Sequence, residues 1–448
     1  MTEPVKHLKS IFEAGLATVD PNEIILKKVG VQDNCLHISQ DGETHEFDLS
    51  RFKKILVIGT GKATARMALA VEGMLGDRIT DGVISVKYGH SEPLEHIKVI
   101  EAAHPVPDDN SRLAAKKILD ICLNAGEDSL VICLISGGGS ALLSMPVAQI
   151  TDQDKREVTQ MLLDCGADIC EINCVRKHLS AIKGGWLAQA IAPGVSVNLI
   201  LSDVIGDRLD SIASGLTSHD ETWFKDAMEI MEKYALTEKL PSRVLQYLEK
   251  GLSDAALETP KKGSAVFDNT HNFIIGSNIQ AVNAAARKAR ELSYNTVVLS
   301  SQIQGEARVA AVNYAGICMD IKRSQLLAKR PACIIAGGET TVTIKGRGKG
   351  GRNQEMALAF LKYLCENSTA MADVYFLSAA TDGNDGPTDA AGGVACLGMV
   401  EDPSKALGRI NAHLKNNDAY HYLKETGLLY VTGPTNTNVC DLQIMIVL

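Results

Sequence analysis

Residues Val131–Leu143 read VICLISGGGSALL, and the rest of the chain can be read outward from them. Leu130 to Ser136 are mostly apolar, the pattern of a strand buried on both faces. Gly137, Gly138 and Gly139 follow, and Ser140 stands where a helix N-cap would stand, ahead of Ala141, Leu142 and Leu143. A buried strand that passes through bare backbone into a helix start is suited to an anion. Glycine lets backbone N–H groups face a ligand with no Cβ in the way, and a helix start adds partial positive charge. Phosphate is the natural guest. The bland alternative is a tight strand–helix turn that binds nothing. No Gly-Lys-Ser/Thr follows, so this is not a Walker A loop.

The same kind of junction occurs upstream. Lys54–Ile58 reads as a short strand, Gly59-Thr60-Gly61-Lys62-Ala63 as its turn, and Ala63–Leu75 as a helix. In open α/β sheets ligands sit at the carboxyl ends of the strands. Lys62 therefore reads either as a cation aimed at the mouth of the sheet or as a solvated lysine on a turn. As a dinucleotide fingerprint the turn is incomplete. Thr64 occupies the third glycine position, and the next strand, Val83–Val86, leads into Lys87 instead of an acid. Further on, Ser196–Leu201 is a strand that ends in Asp203 and, more weakly placed, Asp207. A carboxylate there suits Mg²⁺ or a proton acceptor, although aspartates also make turns. Strands alternate with helices throughout, including one over residues 4–19, which predicts an α/β fold with a largely parallel sheet.

Cations gather in two places. In INCVRKHLSAIKGGWLA, Ile172–Ala188, a helix would put Arg176 and Lys183 on one face beside Gly184 and Gly185, either as an anion grip or as a solvated basic face. After the strand Ala332–Ala336, Thr341–Ile344 alternates like a hairpin strand, and Lys345–Glu355 reads KGRGKGGRNQE. This is a flexible cationic loop at the start of the helix Met356–Cys365, with Arg352 nearest and able to hold a carboxylate or phosphate through two bonds. The strand Val374–Ser378 then runs into AATDGNDGPTDAAGG, Ala379–Gly393, where Asp382, Asp385 and Asp389 suit Mg²⁺ or a general base. His104, in the stiff loop His104–Asp108, reads as a loop hydrogen-bonder, with Asp109 or Asn110 capping the next helix.

Composition narrows the class. A net charge of −9 and 4% aromatics argue against nucleic acid as the main partner. No apolar run reaches the roughly 18 residues of a membrane span, and no signal sequence is visible at the start, so a cytoplasmic location is expected. The eleven Cys form no CxxC pair and read as buried free thiols. The loop near Pro260–Gly263 predicts two domains, residues 1–265 and 266–448.

Taken in order, SGGGSALL, VRKHLSAIKGG, SDVIGD, GGETTVTIKGRGKGGRNQE, ATDGNDGPTDAAGG and TGPTNTNVCDL resemble the type II glycerate kinase family over nearly the whole chain. The resemblance implies an N-terminal Rossmann-like glycerate-kinase domain of three α/β/α layers and a C-terminal MOFRL domain, with the active site in the cleft between them. It implies ATP- and Mg²⁺-dependent phosphorylation of D-glycerate at the 2-hydroxyl; separately from the resemblance, a monomer or homodimer is expected. The family's functional lysine and arginine match Lys62 and Arg352. Gly137, Gly138, Gly139, Ser140 and Lys183 are expected at the nucleotide, with Asp203 and Asp382 as catalytic carboxylates and Asp203, Asp382 and Asp385 as metal ligands. Many members read TGTN near the C-terminus, whereas Asn436 replaces the glycine here, which bears on the turn geometry. Two other classes stay open. They are an NAD(P)-dependent hydroxypyruvate reductase, a label some members have carried, and a non-catalytic sugar-acid or nucleotide sensor.

Overall fold

The computed structural model describes residues 2–448. Packing divides it into two compact units, Pro21–Ile275, and the N-terminal residues up to Asp20 together with Gly276–Leu448.

The first unit is built on a six-stranded sheet. In spatial order its strands are Lys98–Ala102, Ile79–Lys87, Lys54–Thr60, Ser129–Ile135, Val195–Leu201 and Thr270–Gly276. The first five are parallel. This is the doubly wound order 3-2-1-4-5-6, so the topological switch falls between Lys54–Thr60 and Ser129–Ile135. Ser129–Ile135 is buried at every position, which accounts for its unbroken apolar run. Alternate residues serve opposite faces: Val131, Cys133 and Ile135 join Leu56 and Ile58 against Ala114, Ala115 and Ile118 of the helix Asp109–Leu123. That helix is capped by Asp108, not Asp109 or Asn110. The Oδ1 of Asp108 accepts from Ser111 N–H at 3.0 Å while its own N–H donates back to Ser111 Oγ.

Residues 172–188 do not form one helix. The helix Ile169–His178 ends, Gly184 and Gly185 turn with φ of +61° and +91°, and a new helix runs over Trp186–Ile191. Ile169–His178 joins Asp152–Asp164, Phe224–Lys233 and Ser242–Gly251 in a helical core of their own. A small antiparallel sheet of Val29–Gln32, Cys35–Gln40 and Glu43–Asp48 completes the unit; its polar, exposed last strand carries no apolar signature.

Within the helical core His178 is clamped at both ring nitrogens, by Cys174 O at 2.8 Å and Glu258 Oε1 at 3.0 Å. Burial opposes its charge, but these acceptors prevail and raise it to about 9. A raised histidine gives stability that is complete below its unfolded value near 6.5 and is lost as pH climbs through about 9. The unfolding free energy from denaturant titration is therefore expected to fall by up to about 3 kcal/mol between pH 6 and pH 9.5, with His178→Gln abolishing that alkaline fall.

The second unit has a mixed sheet in the order Asn295–Ile303, Ala332–Gly338, Asp441–Val447, Val374–Ala380, Gly392–Cys396, Leu429–Tyr430. Only the first pair is parallel, so the largely parallel expectation holds for the first unit alone. The C-terminal strand Asp441–Val447 inserts antiparallel between two strands, and Gly392–Cys396 returns beside Val374–Ala380 with no helical crossover. Thr341–Ile344 is not a strand; Thr341 makes a single bridge with Glu306.

The N-terminal helix Glu3–Ala17 packs on Asn278–Glu291 and Asp441–Val447, closely enough that a Cβ at Gly15 would lie 2.9 Å from Ala281 O. It therefore sits in the second unit instead of with residues 21–265. The first unit extends to Ile275 because Thr270–Gly276 is the edge strand of its sheet.

Candidate active site

At the switch point of the first unit two turns interlock. Gly61 has φ +138°, and a Cβ there would lie 2.0 Å from Ser136 Oγ. That oxygen accepts the Ala63 N–H at 3.0 Å and pairs with Thr64 Oγ1 at 3.0 Å, while Lys62 N–H donates to Gly137 O at 2.9 Å. The close approach fixes where Lys62 sits relative to the glycine loop. Gly61→Ala is expected to destabilise the protein by about 3 kcal/mol or more, from strain at positive φ plus overpacking. Thermal melting checks it, and a variant that melts like the parent would refute the close approach.

Gly138 has φ +82°, and its missing Cβ would fall 3.0 Å from His104 Cδ2 and 3.3 Å from Lys62 Cγ. His104 and the stem of Lys62 therefore border the loop. Among the described residues the backbone N–H groups of Gly137 and Gly138 have no hydrogen-bond acceptor. Two such donors in one turn, with the stem of a lysine along its border, form an anion-binding concavity. The helix that follows is a single turn, Gly139–Leu142, so the donors and Lys62 carry the positive character and a helix dipole adds little.

Ser140 lies half-buried under the loop. Its Oγ is 2.8 Å from Ser214 Oγ and accepts from Arg176 Nη2 at 2.7 Å. Lys183 reaches the same residue by another route: its Nζ, fully buried, donates to Ser140 O at 2.9 Å and Leu143 O at 3.0 Å. The two cations thus converge on Ser140 without sharing a helix face, and Lys183 props the loop from behind instead of facing a ligand. Lys177 is spent on Asp220 at 3.0 Å and Asp210 at 3.6 Å. Asp203 is half-buried just beyond the end of Val195–Leu201, at the mouth of the same sheet. Asp207, at φ +54°, makes a turn.

In the second unit Arg352 opens the helix Arg352–Glu366. Its Nε and Nη2 donate to the two oxygens of Asp441 at 2.6 and 2.9 Å, and Nη1 lies 2.9 Å from Glu339. Burial works against its charge, but Asp441 and Glu339 more than offset that and hold the guanidinium above its ordinary value.

Asp385 is not placed to ligate a metal. It is buried, and its oxygens accept from the N–H groups of Asn353 and Gln354 at 3.1 and 2.9 Å and from both their side-chain amides. It caps the very helix N-terminus that sequence reasoning offered to an anion. Burial pushes it up to about 6 despite those donors. Nor is the loop before the helix free. The N–H groups of Lys345 and Gly346 donate to Asn417 Oδ1, that of Arg347 to Asn416 Oδ1, and that of Lys349 to Asp418 Oδ1. Asp382, half-buried, accepts the Asn384 N–H at 3.0 Å in a local turn, and Asp389 accepts from Tyr420 Oη. Asn436 has φ +58°, a conformation asparagine tolerates, so the turn survives the loss of glycine.

Glu339 and Asp441, which hold Arg352, stood in quoted motifs but carried no spacing signal linking them to it. Among the described residues the only three His, Cys, Asp or Glu whose ligand atoms lie within 4.8 Å of one another are Cys35, His37 and Glu46; Asp203, Asp382 and Asp385 belong to no such group. No helix among those residues is long and apolar enough to cross a membrane.

A doubly wound sheet with a glycine loop and a lysine at its switch point defines an α/β enzyme acting on an anionic small molecule. Comparison gives the family. Residues 7–249 match the model of a domain of unknown function, DUF4147, and residues 332–441 match the MOFRL family. The chain is 41% identical to a glycerate 2-kinase of Pyrococcus horikoshii, over 98% of this chain and 96% of that one. It is 38% identical to a putative hydroxypyruvate reductase of Agrobacterium vitis, over 98% and 94%. The crystal structure of a glycerate kinase from Thermotoga maritima superposes with a TM-score of 0.82 at 36% identity, covering 99% of both chains. The chain belongs to the glycerate 2-kinase family that joins these two domains.

Proposed function

We propose that the protein is a cytoplasmic, ATP-dependent D-glycerate 2-kinase. The observation that carries the reading is the pair of open N–H groups at Gly137 and Gly138, bordered by Lys62 at the switch point of the sheet. Phosphoryl transfer asks for positioning and charge neutralisation more than covalent chemistry. The Gly137–Ser140 backbone cradles nucleotide phosphates, Lys62 neutralises charge on the transferred group, and Arg352 holds an anionic group of the substrate. Mg²⁺ accompanying the nucleotide would be held by Asp203 or Asp382, and would neutralise phosphate charge.

The reductase reading is weaker on an observation in the sheet. The second strand of the doubly wound order, Ile79–Lys87, ends in a lysine where a nicotinamide dinucleotide site places its ribose-binding acid. The test is incubation with ATP, Mg²⁺ and D-glycerate, followed by enolase. Immediate phosphoenolpyruvate is the expected result. Product only after phosphoglycerate mutase means transfer to the 3-hydroxyl, and absence of ADP overturns the kinase reading.

A further inference from the structure

Under the glycine loop lies a group of cations that the mechanism above does not use. Lys155, in the first turns of the helix Asp152–Asp164, is 6% exposed, and its Nζ has no hydrogen-bond partner. It lines a cavity of about 790 Å³ together with Arg176, Ser144, Pro105 and Ile172. Arg176 in turn holds Ser140 Oγ, so the cavity reaches the residues that carry the loop. Lys183, fully buried, acts on both: its charge and those of Lys155 and Arg176 repel one another.

None of these three cations makes an ion pair among the described residues, although Lys177 next to Arg176 has two carboxylates. Asp152, on the cavity rim, attracts Lys155 but is paired with Arg112 at 3.0 Å. Glu157 and Asp164 also line the cavity, and both belong to Lys155's own helix.

Gathering cations away from water without a counter-charge is costly. Burial and the guanidinium of Arg176 accordingly lower Lys155 to about 7, and burial lowers Lys183 well below the usual lysine range. A protein that needed only packing here would carry methionine or leucine. The arrangement is stable in its charged form once an anion enters, and 790 Å³ accommodates a small organic one.

We infer that Lys155 and Arg176 form an anion subsite beneath the glycine loop, which takes a carboxylate or phosphate group of one of the reactants. The subsite stands on the cavity and the unpaired cations. Only the assignment of the anion to a reactant rests on the kinase reading. Two reactants carry this chemistry, the hydroxy acid through its carboxylate and the nucleotide through its phosphates.

The experiment uses the full-length protein and Lys155→Met, which keeps an unbranched side chain as far as the ε-carbon and removes the amine. Melting is followed with and without millimolar inorganic phosphate. The parent is expected to melt higher in phosphate. Lys155→Met is expected to melt at least as high as the parent without phosphate, since it removes a buried unpaired cation, and to show a clearly smaller phosphate response, the remainder belonging to the Gly137–Gly138 turn. An equal response in the variant, no response in the parent, or a variant that melts well below the parent without phosphate would each overturn the inference.

Kinetics then identify the source. A tenfold or larger rise in KM for D-glycerate alone assigns the carboxylate, and the same rise for ATP alone assigns the nucleotide phosphates. Unchanged KM for both overturns the reactant assignment. The melting response is read without turnover. A protein that binds phosphate through Lys155 but does not phosphorylate D-glycerate would keep the subsite and lose the kinase reading; one that turns over D-glycerate with no role for Lys155 would do the reverse.

Discussion

Lys62→Ala is expected to lower kcat/KM by about 10²–10³ while leaving the melting temperature close to that of the parent. The stem of Lys62 lies against the loop, with Cγ 3.3 Å from where a Gly138 Cβ would be, and the residue is half-buried. Its backbone is fixed independently of its side chain, through the N–H bond to Gly137 O and the Gly61 turn against Ser136. Truncation therefore removes charge without releasing the turn.

A loss of 10²–10³ corresponds to about 2.7–4 kcal/mol at the transition state, the range for removing one preorganised charge-stabilising group. The effect belongs in kcat if the ammonium acts on charge that develops during transfer, and in KM for ATP if it binds the ground-state nucleotide. Lys62→Arg is expected to recover only part, because a planar guanidinium cannot place its charge where a compact ammonium does. Steady-state kinetics with both substrates varied, beside a melting curve, make the measurement. A kcat/KM within threefold of the parent removes Lys62 from the site.

The middle of the first unit was legible because its central strands are buried on both faces and therefore read as unbroken apolar runs, two of them with glycine at their ends. The run Leu130–Ile135 followed by three glycines is such a case. What stayed hidden depended on tertiary pairing. Asp441 looks like any aspartate before a strand, and only the insertion of the last strand between Ala332–Gly338 and Val374–Ala380 brings it to Arg352. Asp385 has the composition of a metal ligand in a glycine-rich loop, yet its loop folds back to cap a helix 32 residues upstream.

Arg176 and Lys183 were expected to work together through a helix that does not exist. They meet at Ser140 because the helix ends at His178 and the chain continues to Lys183 in irregular conformation. Lys155 gave no signal at all: in an amphipathic helix of charged residues nothing marks the one lysine that faces inward. The small sheet from Val29 to Asp48 was missed for a related reason, since its last strand is polar and largely exposed.

Arg352→Ala is expected to cost about 3 kcal/mol or more of stability, apart from any role in the reaction. Asp441 is fully buried at the start of a central strand, in register with Gly338 on one side and Ala380 on the other. Its two oxygens are held by Arg352 Nε and Nη2. Removing the guanidinium leaves an ionised carboxylate in the sheet with its counter-charge gone, the situation in which breaking a buried pair is most damaging. Glu339, the other partner, has a side chain 43% exposed, so Glu339→Gln is expected to cost less than about 1 kcal/mol.

The contrast decides how loss of activity at Arg352 is to be read. An inactive Arg352→Ala with collapsed stability reports on Asp441, not on substrate. Asp441→Asn keeps the shape and an acceptor for one guanidinium N–H while removing the buried charge, and its stability loss should be smaller than that of Arg352→Ala. If Arg352 holds an anionic group through Nη1, the arm that faces Glu339, then Glu339→Gln removes the competing negative charge from that arm and should lower KM for the substrate it holds without lowering stability. If Glu339→Gln instead raises KM and Arg352→Ala unfolds at a denaturant midpoint near the parent's, the assignments of both partners are wrong, since the buried carboxylate would then not depend on its arginine.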